Sequence, residues 1–225
     1  MGGGDFGSAD DTIYKQFAAQ GQTYLNASGD DGASNSQTWL APSLDPNIID
    51  VGGTDHGTSG PGGSWTSETG WSGSSGGYYE PAGHAIPAYQ KTSGVITSAI
   101  KGSTTLRNDP DVSAEADFDN LTVSNGTFQT GYGGTSFAAP RWAGLLALAN
   151  QQSVVAGKST LGFVNTKIYA IGLGANSTSD FHDITSGSNK PSQGTGAGFN
   201  AIAGFDLVTG WGSPKGPALI SARTQ

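Results

Sequence analysis

The segment that most constrains the fold is residues 135–151, whose apolar positions repeat with the period of an α-helix. Its main stripe consists of Ala138, Trp142, Leu145, Leu146 and Ala149. Most of the remaining positions are also apolar, and a helix that is apolar on nearly all sides has to be covered on nearly all sides. We therefore predict a helix buried in a core, and 225 residues are enough to build one.

Shorter helix and strand patterns lie on both sides of this segment. Ser8 and Asp11 form a capping pattern that begins a helix through Ala19, and Gly21 ends it. Further helices are predicted at 163–170 and after Pro214, and short strands at 23–27 and 47–51. Such a mixture predicts an α/β fold, organised as a single domain over residues 1–225.

The region from Gly53 to Tyr89 is rich in glycine and serine but also contains Trp65, Trp71 and Tyr78. Flexible linkers lack such large aromatic side chains. We interpret the region as ordered surface loops rather than as a boundary between domains.

Composition excludes several classes of function. The ten Lys and Arg residues are scattered, which argues against a nucleic-acid groove. No apolar run approaches the roughly 20 residues that span a bilayer. There is no cysteine for a disulfide or a thiolate nucleophile. A low charge density, with 12% charged residues, combined with a pI near 4.5 suits a protein that works in acid.

The most specific chemical feature is the string GGTSFAAP at 133–140, which leads directly into the long helix. A serine at a helix N-terminus, here Ser136, lies beside unpaired N–H groups that would stabilise an oxyanion. On the short motif alone, Ser136 is better interpreted as a helix cap in a glycine-rich turn.

The longer string GGTSFAAPRWAGLLALANQ resembles the nucleophile helix of the subtilisin-like serine peptidases, and within them of the sedolisins, the serine-carboxyl peptidases of the kumamolisin type. Further segments match in the sedolisin order: NASGDDG at 26–32, IIDVGGT at 48–54, SETGW at 67–71, PAYQK at 87–91, PDVSAEAD at 110–117, FHDITSG at 181–187 and AGFDLVTGWGSPKGPAL at 203–219. The resemblance implies a subtilisin-like three-layer fold with a mainly parallel sheet.

The resemblance also implies the catalytic roles. Ser136 corresponds to the nucleophile that forms an acyl-enzyme with protein or peptide substrates, and Asp30 to a carboxyl group in the oxyanion hole. Asp30 stands where subtilisins have an asparagine, so it must be protonated to donate a hydrogen bond, which acidic pH favours. Without the resemblance, Asp30 would be interpreted as a turn residue. Asp31 matches the motif less well.

The three histidines leave a second possibility, a histidine-dependent enzyme of the subtilisin type. His56 lies in DHGTSG, His84 in a Gly/Pro loop and His182 before an aspartate. We favour loop or packing roles for all three, because an imidazole is protonated in acid and is then useless as a base.

A calcium site is implied near the C-terminus. The resemblance assigns the side chains of Asp183 and Asp206 and the main-chain carbonyls of Ile184, Ile202 and Gly204 as ligands. Oxygen ligands of this kind suit Ca²⁺. The alternative is a pair of aspartates in unrelated loops.

Sedolisins carry their catalytic Glu and Asp one turn apart on a helix upstream of the SGD motif. All three glutamates of this chain, Glu68, Glu80 and Glu115, follow Asp30. We therefore expect the chain to represent the C-terminal part of a catalytic domain, with its fold incomplete on the N-terminal side. The pair would come from a missing N-terminal segment or a second chain.

Two further expectations follow from the resemblance. Secretion is expected, although residues 1–11 lack the basic start and apolar stretch of a signal peptide. The alternative to a peptidase is a catalytically incompetent, calcium-binding module with no enzymatic role.

Overall fold

The computed structural model describes residues 8–33, 42–79, 83–190 and 197–224. Within these ranges the helices are α1 (Ser8–Ala19), α2 (Thr135–Val155), α3 (Asn165–Gly172), α4 (Ser177–Asp180) and α5 (Gly216–Thr224). The strands are β1 (Leu25–Ala27), β2 (Ile49–Thr58), β3 (Trp65–Gly70), β4 (Val112–Glu115), β5 (Asn120–Ser124), β6 (Thr127–Tyr132), β7 (Phe181–His182) and β8 (Ser213–Pro214). None of the helices in the described ranges is long and apolar enough to cross a membrane.

The main sheet is built around β2. The first half of β2 lies between two parallel neighbours, so that Val51 is paired with Ala27 of β1 and with Val112 of β4. The second half of β2 is paired with β3, which runs antiparallel to it. This arrangement, together with the helices, confirms the predicted α/β fold with a mainly parallel sheet.

Helix α2 packs along the sheet, in contact with β1, β2, β4 and α5. Trp142 is fully buried, and its Nε1–H donates a 2.7 Å hydrogen bond to the carbonyl oxygen of Ser113. The prediction of burial on nearly all sides was wrong, because Leu148 is 56% exposed and Val155 is 82% exposed. The sheet and α5 cover one side of the helix, and an evenly apolar sequence cannot indicate which side that is.

The interpretation of residues 53–89 as loops was wrong in part. Strand β2 continues to Thr58 and forms a hairpin with β3, in which His56 is paired with Glu68. A second hairpin joins β5 and β6. Both hairpins are largely exposed, so they lack the alternation of apolar and polar residues by which a half-buried strand is recognised.

Charged side chains are buried between the sheet and the loops that follow β1 and precede β4. Arg107 and Asp111 are both inaccessible to solvent and form an ion pair of 2.8 Å. The Asp50 carboxyl accepts a 2.9 Å hydrogen bond from Nδ2 of Asn26. Burial raises the pKa of Asp50 to about 7 and that of Asp109 well above its ordinary value. These two groups are therefore carboxylic acids in weak acid.

Candidate active site

Asp30 and the N-terminus of α2 lie in direct contact. The turn after β1 carries the Asp30 carboxyl to α2, where Oδ1 accepts hydrogen bonds from the backbone N–H of Thr135 at 2.8 Å and from its Oγ1 at 2.9 Å. Thr135 Oγ1 in turn accepts a 3.0 Å hydrogen bond from the N–H of Gly29. The carboxyl group thus caps a helix that begins 105 residues later in the chain.

Ser136 is the second residue of α2 and directly follows the residue that binds Asp30. Both Ser136 and Asp30 are exposed, so a substrate could reach the two side chains. No described residue forms a hydrogen bond with the Ser136 hydroxyl. The Ser136 hydroxyl therefore belongs to the residue that follows the Asp30–Thr135 contact, in the first turn at the positive end of a helix.

Gly134 makes the close approach of Asp30 possible. Its φ of 94° lies in the region that favours glycine, and its N–H donates a 2.6 Å hydrogen bond to the carbonyl oxygen of Ala116. A Cβ atom at this position would lie 2.4 Å from Oδ2 of Asp30. Gly134 therefore leaves room for the Asp30 carboxyl at the start of α2.

Sequence reasoning missed Thr135. A threonine at the first position of a helix carries no signal of a partner 105 residues earlier, so only the tertiary structure reveals its two hydrogen bonds to Asp30.

The histidines lie in other parts of the structure. His56 is on β2, and His182 stacks on Trp65 with 4.4 Å between ring centroids. His84 has a ligand atom within 4.8 Å of carboxylate oxygens of Asp11 and Asp45. None of the three forms a hydrogen bond with Ser136.

The described glutamates form no hydrogen bond with Ser136 either. Glu68 accepts hydrogen bonds from Thr54, Trp65 and Ser213. Glu115 is followed four residues later by Asp119, but this spacing falls at the end of β4 and in a turn rather than on a helix. Glu80 lies outside the described residues.

The two aspartates assigned to calcium approach the same short segment. Both carboxylate oxygens of Asp183 lie 3.1 Å from the N–H of Gly204, and Oδ2 of Asp206 accepts a 2.9 Å hydrogen bond from the N–H of Ile202. Asp206 is fully buried, and burial raises its pKa to about 7 when no cation is bound.

The main-chain oxygens fit the same ligand set. The carbonyl oxygens of Ile184, Ile202 and Gly204 accept no hydrogen bond from a described residue. Ile202 is not among the residues with positive φ, so its side chain is no obstacle to a carbonyl ligand. Two carboxylates and three free carbonyls suit a hard cation, as Ca²⁺ is.

Comparisons with known proteins identify the family of the chain. Residues 2–190 match the sequence profile of the Subtilase family. Over 91% of its own residues, the chain is 34% identical to sedolisin of a Pseudomonas species. Over 49% of its own residues, it is 46% identical to tripeptidyl-peptidase sed1 of Aspergillus fumigatus. It covers 35% of the first of these proteins and 16% of the second. The chain thus spans about a third or less of these relatives.

Solved structures show the same relationship. Pseudomonas sedolisin, complexed with two molecules of pseudo-iodotyrostatin, superposes with a TM-score of 0.75 and 32% identity, over 95% of this chain and 58% of that one. Sphericase superposes with a TM-score of 0.55 and 22% identity, over 95% of this chain and 54% of its own, which shows a shared fold.

Proposed function

Because this chain belongs to the Subtilase family, and within it to the sedolisin family of serine peptidases, we propose that it carries the nucleophile and the oxyanion carboxyl of an acid-acting serine-carboxyl endopeptidase. Its substrates would be proteins or peptides, cleaved through an acyl-enzyme. The observation that carries the proposal is the hydrogen bond between Asp30 and the N–H of Thr135, which holds a carboxyl group at the residue that precedes Ser136 in the first turn of α2.

The two oxygens of Asp30 have different surroundings. Oδ1 accepts both hydrogen bonds from Thr135, so it behaves as the carbonyl oxygen of a carboxylic acid. When Asp30 is protonated, Oδ2 is the atom left to hold the proton. Oδ2–H can then donate to the oxyanion that forms when Ser136 Oγ attacks a peptide carbonyl. The ionised carboxylate cannot donate, so the proposal requires acidic pH.

Ser136 also needs a base, since an unactivated serine is a poor nucleophile. We propose that a Glu/Asp pair from a segment outside these 225 residues, or from a second chain, accepts its proton. Ser136 is exposed, which leaves its hydroxyl accessible to such a segment.

Calcium has a structural role in this proposal. The side chains of Asp183 and Asp206 and the carbonyls of Ile184, Ile202 and Gly204 would hold the ion. Bound there, Ca²⁺ would neutralise the two carboxylates and join the segments before and after residues 191–196. Secretion remains part of the proposal by family resemblance.

The decisive experiment is hydrolysis of a fluorogenic peptide at about pH 4. The chain alone should give little or no turnover, and addition of a polypeptide that carries the Glu/Asp pair should produce turnover that Ser136→Ala abolishes. Rapid turnover by the chain alone, lost in Ser136→Ala, would refute the need for an outside pair. Turnover that Ser136→Ala leaves unchanged would overturn the peptidase assignment.

A third outcome is that the peptide is hydrolysed neither by the chain alone nor after addition of the polypeptide that carries the Glu/Asp pair. With calcium binding intact, that result would support the alternative, a calcium-binding module with no enzymatic role. The Ser136 hydroxyl has no hydrogen-bond partner among the described residues, and this observation keeps the alternative open.

A further inference from the structure

A cavity of about 610 Å³ opens between the β2–β3 hairpin, the end of β4 and the segment 213–217. It contains none of the residues that form the candidate active site or the calcium ligand set. In an open α/β sheet, ligands collect beyond the carboxyl ends of parallel strands, and β2 and β4 run in parallel into this cavity.

Two permanent cations line the cavity in an otherwise acidic chain. Arg141 and Lys215 are two of only ten basic residues in a sequence of net charge −8. Lys215 Nζ donates one hydrogen bond, to the carbonyl oxygen of Thr178, and an ammonium group has three donors. Arg141 donates to the main-chain oxygen of Glu115 and to Asn120, and a guanidinium has five donors. Both cations therefore have N–H groups left for a ligand.

The acidic side chains of the cavity do not occupy these cations. Glu68 accepts its hydrogen bonds from neutral donors, namely Thr54 Oγ1 at 2.6 Å, Trp65 Nε1 at 3.0 Å and Ser213 Oγ at 2.6 Å. Glu115 is 9% exposed, its Oε2 has no hydrogen-bond partner among the described residues, and burial raises its pKa to about 7. In weak acid Glu115 is uncharged, so Glu68 is then the one carboxylate among the described residues that line the cavity, together with two cations, Arg141 and Lys215.

One wall of the cavity is aromatic. Trp65 is 44% exposed and stacks on His182 with a ring separation of 4.4 Å and an interplanar angle of 13°. The stack holds the indole in place without covering it, and Pro214 and Pro217 add apolar surface. An exposed, immobilised aromatic ring is a suitable surface for another apolar or aromatic group.

We propose that this cavity binds an aromatic or apolar carboxylate, with the carboxylate at Lys215 and Arg141 and the apolar body against the Trp65–His182 wall. A free organic acid and the carboxyl terminus of a peptide share this chemistry. The proposal is independent of the catalytic one, because the two sites have no residue in common.

The first test compares two ligands that differ only in charge. Titration calorimetry at pH 5 with 3-phenylpropionate should give saturable binding, and 3-phenylpropionamide should bind at least tenfold more weakly, since it makes no charge-assisted hydrogen bond. Equal binding of the two, or no binding of either, would overturn the proposal.

Variants then locate the site. Lys215→Gln and Trp65→Ala should each weaken binding of 3-phenylpropionate about tenfold or more. Lys91→Gln removes an exposed lysine outside the cavity and should have no effect. Asp30→Ala should also leave the affinity unchanged. Binding that survives Lys215→Gln, or that is lost in Asp30→Ala, would contradict the assignment. Arg141 is left intact because it also holds β4 and the β5–β6 hairpin.

A final comparison identifies the natural source of the ligand. If acetyl-Ala-Ala-Phe binds more tightly than 3-phenylpropionate, the cavity takes a peptide carboxyl terminus. The reverse order indicates a small organic acid.

Discussion

Asp30 caps α2 from a distant part of the chain, because its Oδ1 accepts the N–H of Thr135 at 2.8 Å. Gly134, the residue before the helix, makes no side-chain cap of its own. One carboxyl group therefore serves the stability of the helix and, by our proposal, the chemistry at Ser136. This double role gives the first two predictions.

Replacement of Asp30 should affect stability and catalysis differently. Asp30→Ala removes a helix cap and should lower the free energy of unfolding by about 1 kcal/mol. In an active preparation it should also lower kcat about a hundredfold to a thousandfold, as loss of an oxyanion donor does. Asp30→Asn should retain part of the activity and shift its optimum towards neutral pH, because an amide donates without being protonated.

These effects are measured by chemical denaturation and by the pH profile of kcat. Asp31→Asn serves as the neighbouring control, for which we expect kcat to remain near that of the unmodified chain. If kcat of the Asp30→Asn variant still falls as the pH rises out of the acidic range, this result would contradict the role given to the proton of Asp30.

Gly134→Ala should be more harmful than an ordinary glycine substitution. Its Cβ would lie 2.4 Å from Oδ2 of Asp30, so the carboxyl has to move away from the helix. Gly131→Ala is a matched control, since Gly131 has a φ of 79° but open space around its Cβ position. Both variants bear the cost of a positive φ, about 1 kcal/mol. Chemical denaturation should show that only Gly134→Ala lowers the free energy of unfolding by more than this. Equal decreases in the two variants would show that the contact with Asp30 is unimportant.

Stability should be greatest in weak acid because of the buried carboxyl groups. The pKa of Asp50 is raised by burial to about 7, above the ordinary value of 3.8. The folded chain therefore binds this proton more tightly than the unfolded chain, so the contribution is complete below about pH 4 and is lost as the pH rises through about 7. Burial raises the pKa of Asp109 as well, which acts in the same direction.

The measurement is Tm between pH 4 and pH 8 by calorimetry. We expect Tm to decrease as the pH rises from 4 to 8. The Tm of Asp50→Asn should decrease less, because an amide has no proton to lose. Asp119→Asn, at an exposed position, should follow the unmodified chain. A Tm that rises from pH 4 to pH 8 would rule out this account.

Removal of calcium should lower Tm. An ion that binds only the folded chain stabilises it by mass action, so EDTA should reduce Tm and added Ca²⁺ should restore it. Asp183→Asn should abolish this response, and because Asp183 is exposed, the variant should still fold. An identical Tm with and without EDTA would remove the calcium assignment.

The exposed apolar face of α2 should cause self-association. Leu148 and Val155 are both exposed, and among the described residues β1 is paired along one edge only. Light scattering should detect oligomers that the double variant Leu148→Ser, Val155→Ser reduces. Phe128→Ser removes an exposed apolar side chain from the β5–β6 hairpin instead and should reduce them less. A monodisperse monomer of the unmodified chain would contradict this prediction.

Local features of this chain could be predicted from its sequence. The capping pattern at Ser8 and Asp11 indicated a helix over 8–19, where α1 is found, and the period of the apolar residues located α2 to within four residues at its end. The order of its motifs indicated the family. These features depend on neighbouring residues only, and neighbours in sequence remain neighbours whatever the rest of the chain does.

Contacts between distant segments were decided by the tertiary structure alone. The sequence could not show that Asp30 binds Thr135, that α2 is covered on one side, or that Arg141 and Lys215 meet at one cavity. The β2–β3 hairpin was missed because cross-strand pairing, rather than a buried apolar face, stabilises its exposed strands. Apart from this hairpin, the energy comes from groups separated by long stretches of chain, and their meeting depends on how every intervening element packs.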